Sequence, residues 1–292
     1  MKKPLFTGSA PAIVTPFTDK GVDYTALADQ IEFQIKGGSD AIVVCGTTGE
    51  ASTMPDDEHM AVIKFTVDAV KGRVPVIAGT GSNDTRHGAE LSREAEAVGA
   101  DGLLHVTPYY NKATQKGLYQ HFKYIADSVK IPIIMYNVPS RTSLNMSPET
   151  VKALSEIDNI VAIKECNLGQ VGDIVNLCGD AMTVYTGDDN TIMPTLSLGG
   201  KGVISVLANI VPRDTHDIVA KFFGGDIQGA VQLQLKMLNL IKAIFIEVNP
   251  IPIKAAMNLM GLKAGVCRLP LTEMEDKNLA VLKSEMKAYG LL

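Results

Sequence analysis

The chain has 292 residues, 46% of them hydrophobic, with 27 basic and 32 acidic side chains and a formal net charge of −5. High apolar content with so small a charge excludes a disordered chain, and the lack of a basic excess argues against a nucleic-acid or anionic-membrane partner. Aromatic residues make up only 5%, with no Trp and 26 Gly, which suits a core of Val, Ile, Leu and Ala joined by tight turns and leaves small molecules or proteins as partners.

The opening Met1-Lys2-Lys3-Pro4 is not followed by the apolar run of a signal peptide, and no stretch approaches the roughly 18 apolar residues of a membrane span. A soluble, cytoplasmic protein is expected. In chain order, short apolar runs begin at Ala12, Ala41, Pro75, Gly102, Ile131, Ile160, Thr183 and Val203. They are continuous rather than alternating, as in parallel strands covered on both faces. Between them lie helix-period segments such as Tyr24 to Lys36, Asp56 to Lys71, Thr85 to Val98 and Lys116 to Lys130. The repeat of about 30 residues is the size of one strand-loop-helix unit. Eight such units make a closed barrel or a doubly wound sheet. Gly79-Thr80-Gly81 is followed by Asp84 where a dinucleotide fingerprint needs its third Gly, so an α/β fold of the (β/α)8 TIM barrel type is favoured. Past Gly224-Gly225 the strand signal stops, and Ile227 to Ile246, Ile251 to Met260 and Thr272 to Tyr289 read as three helices. The expected organisation is a catalytic barrel over 1–223 with a C-terminal helical region over 224–292, in one continuous unit.

Barrels of this kind carry their active sites at the C-terminal ends of the strands. Lys164 closes the apolar run Ile160-Val161-Ala162-Ile163. Desolvation there would lower its pKa and yield the free amine that attacks a carbonyl to form a Schiff base. Equally, such a lysine can snorkel from the mouth or pair with Glu165 or Glu50. Tyr136 ends the preceding strand and should stand beside Lys164, either as a proton shuttle or as an amphipathic cap on the core. Gly46-Thr47-Thr48-Gly49 is either a plain turn or a cradle of hydroxyls and N–H groups for a small carboxylate. Arg141, on the loop after the fifth strand, is either a surface residue or a bidentate carboxylate grip. The five histidines share no zinc-ligand spacing, and neither a G-x-S-x-G nor a P-loop is present. Asp188-Asp189 read as turn and N-cap residues. Cys45, Cys166, Cys178 and Cys267 show no C-x-x-C spacing and read as reduced thiols.

These motifs, with Thr186-Gly187-Asp188-Asp189, Gly202-Val203-Ile204-Ser205 and Asn249-Pro250-Ile251-Pro252, resemble the dihydrodipicolinate synthases, pyruvate-dependent class I aldolases of the superfamily that includes the N-acetylneuraminate lyases. The resemblance runs from about Phe6 to the C-terminus. It implies an imine between Lys164 and pyruvate, with no metal or organic cofactor. It further implies that Tyr136 shuttles protons, that Thr47 links it to a Tyr110 reaching in from a neighbouring subunit, and that Thr48 holds the pyruvate carboxylate. Ile204 would supply a backbone carbonyl near the lysine, Gly187 would line the substrate site, and Arg141 would receive the carboxylate of L-aspartate 4-semialdehyde. The shared tyrosine implies a homo-oligomer, usually a tetramer of two tight dimers.

Thr47-Thr48 together with Arg141 resemble the synthases more than lyases acting on neuraminate or another 2-keto-3-deoxy sugar acid. A small aldehyde presents its carboxylate close to the reacting carbon, whereas a sugar acid presents hydroxyls. A third reading, a barrel that binds a keto acid without catalysis, has no need of a desolvated nucleophile. Two departures stand out. Cys166 follows the Lys-Glu pair where the family commonly has Ala or Ser. At the family's lysine feedback site Asn83 and Tyr109 match, but His87 replaces an acidic residue, and Ala51 and Asp56 replace Ser and His. Weak or absent inhibition by lysine is therefore expected.

Overall fold

The computed structural model describes residues 2–292. Its main sheet contains β1 (Gly8–Pro11), β2 (Ile42–Val44), β3 (Val76–Gly79), β4 (Gly102–Val106), β5 (Ile133–Asn137), β6 (Ile160–Glu165), β7 (Thr183–Thr186) and β8 (Gly202–Ser205). All pairings in it are parallel, in the order β1-β8-β7-β6-β5-β4-β3-β2. A parallel bridge from Ala12 to Val43, with the Ile13 amide donating to the Val43 carbonyl at 2.9 Å, closes the last strand on the first. The fold is a (β/α)8 barrel.

The helices α1 (Tyr24–Gly37), α2 (Asp56–Val70), α3 (Thr85–Ala97), α4 (Gln115–Ala126), α5 (Pro148–Leu154), α6 (Val171–Cys178), α7 (Ile192–Ser197) and α8 (Pro212–Phe223) follow the strands in turn. Asp84, which breaks the dinucleotide fingerprint, is the N-cap of α3 and accepts from the amides of Arg86 and His87. Along each strand, side chains divide between the helix layer and the barrel interior. Ile133 and Met135 of β5 pack outward, while Ile134 and Tyr136 point inward. That division is why the runs read as continuously apolar. Phe6 and Tyr185 lie in the interior cluster, where their rings stack at 4.3 Å and the Tyr185 phenol donates to the Phe6 carbonyl at 2.6 Å.

Strand β1 lies earlier than the Ala12-Ile13-Val14 run that signals it. Its first residue, Gly8, has no room for a side chain, since a Cβ there would stand 1.9 Å from the Asp40 carboxylate, and its partner Gly202 on β8 has none either, with a Cβ 2.0 Å from the Gly8 carbonyl oxygen. A short antiparallel ribbon, Phe17–Thr18 against Gly21–Val22, carries no periodic signal.

Beyond the Gly224-Gly225 turn come α9 (Ile227–Ile244), α10 (Ile251–Leu259) and α11 (Asp276–Tyr289). They share one apolar cluster with the barrel's own residues: Val203, Val206 and Ile218 lie buried with Met237, Leu240, Met257 and Leu282. Helix α11 starts at Asp276 rather than at Thr272. The Glu247 carboxylate holds the preceding chain, accepting from the Glu275 amide at 3.0 Å and from Asn278 Nδ2 at 2.7 Å. No helix among the described residues is long and apolar enough to cross a membrane.

The helical region grips the barrel through an ion pair. Lys254 of α10, 2% exposed, donates to Glu50 Oε1 at 2.6 Å and to the Val266 carbonyl at 2.7 Å. Glu50 Oε2 accepts from the Arg268 amide at 2.9 Å, and the Phe17 ring packs 4.6 Å from the Lys254 ammonium. Removing one partner of such a pair strands a buried charge, which costs about 3–5 kcal/mol. Lys254→Ala is accordingly expected to lower unfolding stability by that amount in chemical denaturation. A loss below 1 kcal/mol would mean that the pair is dispensable.

Candidate active site

Register brings the first two candidates together. Tyr136 of β5 is the direct partner of Lys164 on β6, as Asn137 is of Glu165. Because successive residues of a strand face opposite sides, Tyr136 and Lys164 both point into the barrel and Asn137 and Glu165 both point out of it. The Lys164 ammonium lies 4.2 Å from the centre of the Tyr136 ring. Both side chains are buried, at 5% and 7% exposure. Lys164 pairs with neither Glu165 nor Glu50: Glu50 is held by Lys254, and Glu165 faces the other side of the strand.

Burial penalises the Lys164 ammonium and holds its pKa below the usual lysine range, opposed by Cys166, Asp188 and Asp189 nearby. The same desolvation pushes the Tyr136 phenol well above its ordinary value. An amine shifted toward its neutral form beside a phenol that keeps its proton is a nucleophile beside a proton donor. Burial also raises the Cys166 thiol to about 12, so at neutral pH it is a protonated, weakly polar wall rather than a nucleophile. Gly187, just past β7, has no room for a side chain. A Cβ there would stand 2.4 Å from Cys166 Sγ and 2.7 Å from Lys164 Cε.

Behind the reacting face, Glu165 is fixed by a closed polar network. It accepts from Asn137 Nδ2 at 2.9 Å, from Gln170 Nε2 at 2.8 Å and from the Asn167 amide at 2.7 Å. Burial raises its pKa to about 7, with those donors pulling the other way. Asp189 departs from the N-cap reading. It is fully buried and accepts from Ser205 Oγ at 2.5 Å and from the amides of Val206 and Leu207 at 3.1 and 3.0 Å, so it ties the end of β7 to the end of β8. Its pKa is raised to about 6 by desolvation. Ile204 of β8 is fully buried in the interior cluster that holds Tyr136.

The loop after β2 begins and ends on residues with positive φ, Cys45 at 55° and Glu50 at 56°. Thr48 is 2% exposed and its Oγ1 accepts from Asn249 Nδ2 at 2.9 Å, whereas the Thr47 side chain is free at the surface of a cavity. That cavity, about 560 Å³, is lined by Thr47, Tyr136, Val138 and Arg141, and also by Ser52, Asp56, Asn83, His87 and Tyr109. Arg141 stands on the helical turn Pro139–Thr142 and donates from NH2 to the Asn249 carbonyl at 3.3 Å. Tyr110 does not join this group. It is 92% exposed, with φ of 67°, outside the cavity lining. At the matched feedback positions, His87 Nε2 meets both Asp56 carboxylate oxygens at 3.1 Å and its Nδ1 meets Ser82 Oγ at 3.2 Å.

The model of the dihydrodipicolinate synthetase family matches residues 5–289. The chain belongs to that family. Among curated relatives, it is 63% identical over 292 residues to the 4-hydroxy-tetrahydrodipicolinate synthase of Acetivibrio thermocellus, covering 100% of both chains. Among solved structures, a chloride-inhibited dihydrodipicolinate synthase of Acinetobacter baumannii complexed with pyruvate is 44% identical with a TM-score of 0.95, covering 98% of this chain and 99% of that one. A lysine-bound synthase of Cyanidioschyzon merolae is 38% identical with a TM-score of 0.96, covering 99% of this chain and 100% of that one.

Sequence patterning misses two contributors to this family site. Asn249 belongs to a recognised motif, but nothing local ties it to a threonine about two hundred positions earlier. Lys254 could have been noticed as a charge on the otherwise apolar face of Ile251, Ile253, Ala256 and Met257. Because a Gly187 Cβ would displace Lys164 and Cys166, Gly187→Ala is expected to leave the fold intact and to lower kcat/KM by about a hundredfold, as a misplacement of about 1 Å does. Steady-state assay beside circular dichroism checks this, and wild-type kinetics would contradict it.

Proposed function

We propose that the chain condenses pyruvate with L-aspartate 4-semialdehyde through an imine on Lys164, the reaction of the 4-hydroxy-tetrahydrodipicolinate synthases in diaminopimelate and lysine biosynthesis. The carrying observation is the buried Lys164 amine, without a carboxylate partner, against the Tyr136 ring at the mouth of a barrel. Membership of the family and the pyruvate complex of the Acinetobacter baumannii relative support the first substrate.

In this reading the neutral Lys164 amine attacks the pyruvate carbonyl carbon, and the Tyr136 phenol protonates the oxygen that leaves as water. The Tyr136 phenolate takes a methyl proton to give the enamine, whose carbon bonds to the aldehyde carbon of the second substrate while Tyr136 returns that proton to the new alkoxide. The second substrate's amino group then attacks the former carbonyl carbon, closing the ring and releasing the lysine amine. Thr48 and the amides of its loop hold the pyruvate carboxylate, with the Ile204 carbonyl facing the lysine and Gly187 leaving room for the adduct. Arg141 receives the second carboxylate at the mouth. Thr47 passes protons between Tyr136 and a Tyr110 supplied by a neighbouring copy, in a tetramer of two dimers. A residue 92% exposed on its own subunit suits such a loan.

Borohydride reduction in the presence of pyruvate is expected to leave a mass adduct on Lys164 and none in Lys164→Ala; an unmodified wild-type lysine would defeat the proposal. Arg141→Ala is expected to raise KM for L-aspartate 4-semialdehyde at least tenfold with pyruvate trapping unchanged. Asp56 already occupies His87, and no carboxylate stands at position 87 to meet an effector ammonium. Millimolar L-lysine is therefore expected to leave the steady-state rate nearly unchanged, and strong inhibition would contradict this account of the feedback positions.

A further inference from the structure

The motif residue Asn249 lies between the two carboxylate grips of the proposed reaction and has no role in it so far. It is 5% exposed. Its Nδ2 donates to Thr48 Oγ1 at 2.9 Å, its main-chain carbonyl accepts from Arg141 NH2 at 3.3 Å, and its Oδ1 is buried without a hydrogen-bond partner.

A threonine hydroxyl is one donor and an acceptor. When its lone pair is taken by an amide N–H, the hydroxyl hydrogen has to point elsewhere. At Thr48 the amide comes from the helical region, which leaves the hydroxyl hydrogen free to turn toward the loop cradle. We propose that Asn249 is a positioning residue that fixes Thr48 as a hydrogen-bond donor to the substrate carboxylate, and that its main-chain carbonyl aligns Arg141 for the second carboxylate. The two anion sites are thereby set from one residue. This inference rests on the pyruvate-imine reading above.

The geometry separates two substitutions. Asn249→Ala removes the donor and leaves Thr48 free to rotate, while the main-chain carbonyl facing Arg141 remains. Asn249→Asp presents an acceptor in its place, so that Thr48 must donate to the new carboxylate and can no longer donate to the substrate. The pyruvate concentration for half-maximal imine trapping is expected to rise about tenfold in Asn249→Ala, the usual scale of one charge-assisted hydrogen bond, and further in Asn249→Asp. The KM for L-aspartate 4-semialdehyde is expected to move less than the pyruvate value in Asn249→Ala, because the main-chain contact survives.

A double-mutant cycle distinguishes positioning from mere structural support. In a Thr48→Val background, where no hydroxyl remains to orient, Asn249→Ala is expected to leave the trapping curve unmoved. If Asn249→Ala traps pyruvate like wild type, or shifts the curve equally in the Thr48→Val background, the inference is wrong. If wild type itself traps no pyruvate, it is the underlying functional reading that fails.

Discussion

The buried pair between Glu50 and Lys254 joins two regions of the chain about two hundred residues apart. Glu50 ends the loop after β2 in a left-handed conformation, and Lys254 sits in the second C-terminal helix with its ammonium against the Phe17 ring. Two charges are taken out of water together, at a desolvation cost that only good geometry and further hydrogen bonds can offset. Val266 and Arg268 supply those bonds from the segment between the last two helices. Arg268 in turn lies 3.9 Å over the same Phe17 ring and reaches Glu58 and the Thr53 carbonyl. The loop that carries Thr47 and Thr48 is therefore held in shape by the helical region. That region, from Gly224 onward, is part of the site's framework.

A second division of labour runs along β6. Lys164 and Glu165 are adjacent and both almost fully buried, yet they live in separate environments because the strand turns them to opposite faces. Inside, the amine stands over the phenol ring and makes no side-chain hydrogen bond, so burial outweighs the pull of the nearby Asp188 and Asp189 carboxylates. Outside, the carboxylate has three kinds of donor and a raised pKa that reflects burial more than any repulsion. Had the two faced each other, mutual attraction would have kept the lysine charged and unreactive.

Much of this was legible in the residues. The period of about thirty, the continuous apolar runs and Lys164 at the end of one of them specify a barrel with a buried lysine at its mouth. The neighbouring position of Tyr136 follows from parallel register alone. What stayed hidden has physical causes. Strand β1 is made of Gly8, Ser9, Ala10 and Pro11, where a Cβ on Gly8 would stand 1.9 Å from the Asp40 carboxylate, so residues of low β propensity occupy the strand and propensity points past it to Ile13 and Val14. Asp189 looks like a turn residue because its partners, Ser205 and the two amides after it, lie on the next strand. Asn249 and Lys254 act across about two hundred residues, a separation at which local patterns carry no information.

The stacked rings of Phe6 and Tyr185 bear on the lysine itself. Tyr185 is the direct strand partner of Lys164, so a packed aromatic pair lies beside the amine on the β7 side as the Tyr136 ring does on the β5 side. With Tyr185 tied to the Phe6 carbonyl, the amine sits between two aromatic side chains, one of them locked to the start of the chain. The freedom left to the lysine side chain is set by how those rings are packed.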